Sequence, residues 1–417
     1  MGIFSIVNGV YVMAGSLLLG ALGGLLGVFA VLRKQGLLGD VLSHAALPGI
    51  VLSFIFLGEK NLPILILGAL VSGMISALLI DKIVASTRIK MDGAMAVVLS
   101  WFFGIGILFL SYLKRMENVS PSGINDFIFG QAAGMLQLDV VLIGTVFGLG
   151  VLHVLIKWRQ IKLMIFDRNY AHVMGVNHRF NEVLLTVIFS FGIVISLQAV
   201  GVVLTAALFI TPAVTALFLA NSLWATVLWS VTFGMIGGVT GAYLSVMYRD
   251  VPTGASIVVV LSLIFILVVL FSKKGFLMKM LEGFRYRVRV SYENAVLSCY
   301  RMMESGDCPE MTVKKDLVKG GVLVKLVAWR ALVKKKLVKF VGGQWVLSKG
   351  GLEFGRKLIK KHRLWEVYLA NKLSMDAGKV HLEAEDMEHI LTDEMVVRLE
   401  KMLGNPKVDP HGKQIIS

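Results

Sequence analysis

Nine apolar runs, each close to the ~20 residues that cross a bilayer as a helix, occupy the first two thirds of the chain. They cover 9–32, 37–57, 62–81, 92–113, 138–157, 182–200, 201–221, 222–246 and 253–272. In hydrocarbon every backbone N–H and C=O needs a partner within the protein, so such a chain folds as a bundle of membrane-spanning helices. The crowding between 182 and 246 sets the expected count at eight or nine. The first run lacks a basic leader and is long enough to span, so it reads as a retained helix and not a cleaved signal. With 56% hydrophobic residues over 417, an ordinary soluble globular protein is excluded.

Charge divides the chain. From Lys273 onward there are 28 Lys and Arg against 17 Asp and Glu, whereas the preceding residues hold 14 and 10. The composition changes near Ser272-Lys273-Lys274-Gly275. The expected organisation is a membrane domain at 1–275, a linker at 276–291, a winged-helix-like domain at 292–350, and further helices at 351–417, for which a resemblance described below implies metal binding and dimerisation. The fold class is therefore an all-α polytopic membrane domain followed by a soluble, mainly α domain with one small β-hairpin. Basic residues cluster at Arg33-Lys34, at Lys82, Arg88 and Lys90, at 157–179, and after Ser272. The positive-inside rule places these segments, and with them the C-terminal domain, in the cytosol of a bacterial cell membrane. The two cysteines, Cys299 and Cys308, form no CxxC and suit a reducing compartment.

Within the second run, Asp40 and His44 stand four residues apart, on one face if the run is helical. An ionisable group at membrane depth is costly and usually marks a pathway. One carboxylate with one imidazole suits Mn²⁺, Zn²⁺ or Fe²⁺. A blander reading remains open, with Asp40 capping a helix that begins near Val41. Pro48-Gly49 is expected to break the helix just beyond the pair.

After Ser272 the pattern changes again. Helices are expected at 292–304, 312–319 and 323–336, then a hairpin formed by Leu337–Val341 and Gln344–Leu347 around Gly342-Gly343. Ser348 is placed to cap a long helix reaching about Leu373. A further helix from about Lys379 carries His381, Glu385, Glu388 and His389 at i, i+4, i+7 and i+8, one helical face. His362 and Glu366 form another i, i+4 pair. Read from spacing alone, an acidic solvated face with two histidines is the better reading of these residues.

GDVLSHAALPG (39–49), STRIKMDG (86–93), NDFIFGQAAG (125–134), VGVVLTAALFITPAVTA (200–216) and DVPTGA (250–255) together resemble the membrane subunit of bacterial ABC importers for zinc, manganese or iron(II). The resemblance implies a permease working as a homodimer, supplied by an extracytoplasmic metal-binding protein and driven by a separate ATPase. The chain itself contains no GxxxxGK[ST]. The stretch DRNYAHVMGVN (167–177) resembles the family's ATPase-docking segment, which implicates Asp167, Tyr170 and Gly175.

LSKGGLEFG (347–355), KHRLWEVYL (361–369), KVHLEAEDMEH (379–389) and DPHGKQI (409–415) resemble the iron- and manganese-dependent repressors of the diphtheria toxin repressor class. The resemblance implies Glu385, Glu388, His389 and His362 as metal ligands, with Glu366 and His381 ancillary. Glu at 385 favours manganese. The first helix departs from that pattern by presenting Asn294 and Leu297 at ligand positions. The expected recognition helix offers Arg330, Lys334 and Lys335 to phosphates but no Ser, Thr, Asn or Gln to read bases, so its basic character suits an anionic membrane face as well as DNA. Three roles follow for this domain: metal-dependent control of transport, a tethered or released metal-dependent repressor, or a scaffold that stabilises the permease dimer.

Overall fold

The computed structural model describes residues 3–57, 61–115, 135–174, 178–248, 251–306, 312–373 and 387–415. The chain divides into two units, Met1–Met278 and Lys279–Ser417. In the first, the described helices are α1 (Ile3–Leu32), α2 (Leu38–Leu57), α3 (Leu62–Ser86), α4 (Met91–Leu113), α5 (Gln137–Phe166), the short α6 (Arg168–Val173), α7 (His178–Val200), α8 (Val202–Leu219), α9 (Leu223–Met247) and α10 (Thr253–Phe271). Among the described residues, eight helical segments are long and apolar enough to cross a membrane, and Leu204–Leu219 is a shorter apolar helix. The crowded stretch resolves at Gly201, whose φ of +87° separates α7 from α8.

The packing follows from small residues. α1 and α9 meet so closely that a Cβ on Gly20 would lie 2.0 Å from the Gly234 carbonyl oxygen. The Ser230 hydroxyl donates to the Gly24 carbonyl at 2.7 Å across the same seam. Lipid gives helices no hydrophobic reason to associate, so close backbone approach and interhelical hydrogen bonds carry this contact. Large apolar side chains such as Leu67, Trp101, Leu108 and Ile156 point outward, as lipid-facing residues do.

α2 runs unbroken past Pro48, contrary to the break expected there. The adjoining residues lock it onto α3 instead: a Cβ on Gly49 would sit 2.0 Å from the Gly68 carbonyl oxygen, and the Ser72 hydroxyl donates to the Ala45 carbonyl at 2.6 Å. Tight packing of neighbouring helices holds a proline within a membrane helix.

In the second unit, α11 (Phe276–Glu304) is one helix, so the segment expected as a linker at 276–291 is helical. Phe284, Val288, Tyr292 and Val296 repeat every four residues and face the core, which carries the helical pattern back through that segment. At 312–319 only a 3₁₀ turn forms, at Lys315–Leu317. Thr312 instead bridges Val346, and the Val313 amide donates to the Trp345 carbonyl, so this segment is drawn out as an extended edge. There follow α12 (Val322–Lys334), β1 (Val338–Val341), β2 (Gln344–Leu347), α13 (Lys349–Leu373) and α14 (Asp393–Met402). The strands pair antiparallel, Val338 with Leu347 and Val341 with Gln344. Gly342 and Gly343 turn them with φ of +58° and +83°, the two positive φ values a tight hairpin turn requires. Ser348 caps α13 as expected, accepting from the Gly351 amide at 3.0 Å. Three apolar clusters are buried among the described residues of this unit: Tyr292, Val296, Ala328, Leu332 and Leu347 in the winged-helix part, Leu297, Tyr300, Leu358 and Ile359 between α11 and α13, and Leu364, Leu391, Val396 and Leu399 beneath α14.

Candidate metal sites

Asp40 lies in the first turn of α2 and His44 one turn on, both inside the helix, so Asp40 is not its cap. His44 Nε2 stands 3.7 Å from Asp40 Oδ1, within ion-pair range and too long for a hydrogen bond. The two side chains are 25% and 39% exposed, unlike their buried neighbours Val41, Leu42 and Ala45. Phe103 of α4 sets its ring edge-on to the His44 imidazole, with centroids 4.9 Å apart and planes at 80°, and so fixes the ring's tilt. The pair is two oriented donors on a half-open face.

The second set is enclosed. His362 and Glu366 of α13, Glu388 and His389 of the segment before α14, and Glu293 of α11 are each between 1% and 5% exposed. His362 Nδ1 lies 2.7 Å from Glu388 Oε2, and His362 Nε2 lies 3.1 Å from Glu366 Oε1. His389 Nδ1 lies 2.7 Å from Glu293 Oε2, while its Nε2 approaches Asn294 Oδ1 at 2.9 Å and Glu388 Oε1 at 3.5 Å. Burial alone would lower the pKa of His362, but its bonds to Glu366 and Glu388 outweigh that and raise it. For Glu293 burial pushes the carboxyl up, and the bonds from His389 and Arg289 more than reverse it. Arg289 Nε donates to the second Glu293 oxygen at 2.8 Å.

Chemically this is a donor set of carboxylate oxygens and imidazole nitrogens with low exposure, which fits a hard or borderline dication. The donors meet in pairs, however, and among the described residues no group of three or more His, Cys, Asp or Glu side chains is arranged to hold an ion. His381 and Glu385 lie outside the described residues.

The structure places the expected His362, Glu366, Glu388 and His389 side by side and adds Glu293, which the sequence reading overlooked. The available signal was a carboxylate on the apolar face of an amphipathic helix, one turn before Leu297 and two before Tyr300. Asn294 does face His389. Leu297 packs instead with Tyr300, Leu358 and Ile359. Arg363 was overlooked as well. It is 2% exposed, donates to the Gln414 carbonyl at 2.6 Å and to Glu304, and pairs with Asp409 at 3.6 Å. Asp409 in turn accepts from the amides of His411 and Lys413, which ties the 409–415 motif to α13.

Of the other expected residues, Asp167 caps α6 by accepting the Tyr170 amide at 2.8 Å, and Tyr170 is 51% exposed. Gly175 lies outside the described residues. Arg330 and Lys334 are exposed on α12, whereas Lys335 bonds the Tyr292 hydroxyl and stacks over its ring at 4.5 Å. Lys335 is thus committed to its own domain.

Residues 8–272 match the ABC 3 transport family over their whole length. The chain belongs to that family. This ABC 3 family member also matches the iron dependent repressor metal-binding and dimerisation domain over residues 348–417. It is 34% identical over 373 residues to the manganese transport system membrane protein MntC of Bacillus subtilis (strain 168), covering 88% of this chain and 85% of that one. That match is longer than the membrane unit, so it extends into the C-terminal unit. The zinc transport system membrane protein TroC of Treponema pallidum (strain Nichols) is 41% identical over 251 residues, 60% of this chain and 84% of its own. The structure described as PsaBC from Streptococcus pneumoniae in complex with Fab superposes with a TM-score of 0.56 at 31% identity, over 64% of this chain and 93% of that one. The ABC 3 family member is therefore a multi-pass metal-transport permease carrying a repressor-like domain at its C-terminal end.

Proposed function

We propose that this permease is the membrane subunit of an ATP-driven importer that moves Mn²⁺ into the cytosol, with Zn²⁺ and Fe²⁺ as the competing cargoes. The observation that carries the reading is the Asp40–His44 pair, two ligands of the right chemistry held half-open on one face of α2. The manganese and zinc transport names of its relatives support the cargo class. Working as a homodimer, the permease would present two such pairs about one axis. A transient site of this kind must bind well enough to admit the ion and weakly enough to release it, and two oriented donors per chain meet that demand. The ion arrives from an extracytoplasmic metal-binding protein, and ATP is hydrolysed by a separate subunit. The exposed Tyr170, Val173 and Met174, presented by the Asp167-capped α6, support that segment as the ATPase docking point.

The C-terminal unit reads as a cytosolic metal-sensing domain. His362, Glu366, Glu388, His389 and Glu293 would hold Mn²⁺ or Fe²⁺ in place of the imidazole–carboxylate pairs they now form, and the resident ion would supply a positive centre that draws these elements together. Occupancy when cytosolic metal is sufficient would then restrain transport. A tethered or released repressor is the weaker reading, because α12 offers exposed cations without base-reading side chains.

The test is ATP-driven Mn²⁺ uptake by vesicles containing the chain and its ATPase, in competition with Zn²⁺ and Fe²⁺. Mn²⁺ uptake suppressed equally by any divalent ion, Mg²⁺ included, would reject a transition-metal pathway. In the same vesicles Glu388→Ala with His389→Ala is expected to relieve inhibition by high internal Mn²⁺. Unchanged inhibition would reduce the domain to a dimer scaffold, a role that absence of Mn²⁺ binding in titration calorimetry would support.

A further inference from the structure

The winged-helix face that would meet DNA is built for a different surface. Along α12, Val322, Leu323 and Leu326 are 82%, 72% and 47% exposed, and on the hairpin Phe340 is 60% exposed. The helix and the hairpin are joined by a run of rings. Trp329 of α12 meets Trp345 of β2 edge-on at 5.5 Å, and Trp345 meets Phe340 of β1 at 5.2 Å. Around this apolar surface the sequence from 317 to 352 holds eight Lys or Arg and no Asp or Glu. Lys325, Arg330, Lys334 and Lys339 are among the exposed ones.

Large exposed apolar side chains gathered on one face mark an interaction site. We infer that this face seats on the anionic headgroup layer of the bilayer, Leu323, Leu326 and Phe340 entering the interface and the surrounding cations meeting lipid phosphates. Three observations select that occupant. The rim is uniformly positive, so a second copy of the same face would bring like charges together. A DNA duplex would answer the charge but gives three leucine-sized side chains nothing to bury against, and α12 has no side chain that reads bases. An anionic membrane alone offers phosphate and hydrocarbon side by side, with tryptophan at the boundary between them. Proximity adds to this: only four residues separate the end of α10, the last spanning helix, from the start of α11. The C-terminal unit is therefore tethered to the membrane-spanning one by a short connection. The inference does not depend on which ion is carried.

The experiment uses the full chain in nanodiscs, with Cys308→Ser and a single environment-sensitive fluorophore at Leu323→Cys, and with Arg398→Cys on α14 as the control site. Discs of phosphatidylcholine alone are compared with discs containing phosphatidylglycerol, each with and without a lipid carrying a quenching nitroxide near the headgroup. The expected result is a blue shift and loss of emission at position 323 in the anionic discs only, reversed by salt, with no change at position 398. Leu326→Glu with Phe340→Glu, both at exposed positions that leave the cores intact, should abolish the quenching. No quenching at 323 in either disc overturns the inference, as does equal quenching in both. So does a 323–323 crosslink between two chains, or a salt-sensitive complex with duplex DNA formed by the unquenched protein.

Discussion

The two sets of candidate ligands solve opposite problems. Asp40 and His44 form a sparse pair, 3.7 Å apart and open to one side. The set in the C-terminal unit is crowded, almost fully enclosed, and saturated with its own hydrogen bonds. An open pair can take up and give away an ion without rearranging its surroundings. An enclosed network exchanges its internal partners only by moving whole helices, because a buried charge that loses its partner is severely penalised. One arrangement suits passage and the other suits memory of what has passed.

The largest effect expected from this contrast is at the open pair. Asp40→Ala should abolish uptake while leaving assembly, ATP hydrolysis and the melting of the C-terminal unit unchanged. Wild-type uptake by that variant would remove α2 from the pathway. The reverse is expected at Arg363, which joins Glu304, Asp409 and the Gln414 carbonyl. Arg363→Ala leaves the buried Asp409 without its cation, so thermal unfolding of the C-terminal unit should show a loss of about 3–5 kcal/mol. An unshifted transition would mean that the tail is not latched through this residue.

The smallest effect is on pH dependence. In the metal-free protein the raised pKa of His362 gives stability that is complete below its unfolded value and lost as pH rises through the folded one. The lowered pKa of Glu293 gives stability that is complete above its unfolded value and lost as pH falls through the folded one. Both contributions overlap fully between about pH 4.3 and 6.5, so the C-terminal unit should melt highest in mildly acidic buffer. A monotonic rise toward alkaline pH would show that these pairs do not govern its stability.

Legibility in the sequence differed between the two units for physical reasons. In lipid, length and hydropathy alone dictate helices, so the spans were readable, and even the 200/201 break coincided with the glycine that makes it. Pro48 was misjudged because local propensity treats proline as a helix breaker, while the decision belonged to Gly68 and Ser72 on another helix. In the C-terminal unit the hairpin and the Ser348 cap were legible because turn and cap chemistry is local. The 312–319 segment was not, since its extended form depends on pairing with Thr312's partner Val346, thirty-four residues away in sequence. Glu293 and Arg363 were missed for the same reason: a charge on an apolar face shows its purpose only when its partners, His389 and Asp409, arrive from distant segments.

Pro48 has a mechanical consequence. It stands four residues after His44 and has no N–H, so the hydrogen bond that would close the helical turn on the His44 carbonyl does not form. The turn bearing Asp40 and His44 is thus joined by one bond fewer to the part of α2 clamped against α3 at Gly49. The missing bond makes that junction easier to bend than the rest of α2, while the Ser72 hydroxyl on the Ala45 carbonyl still holds the turn against α3.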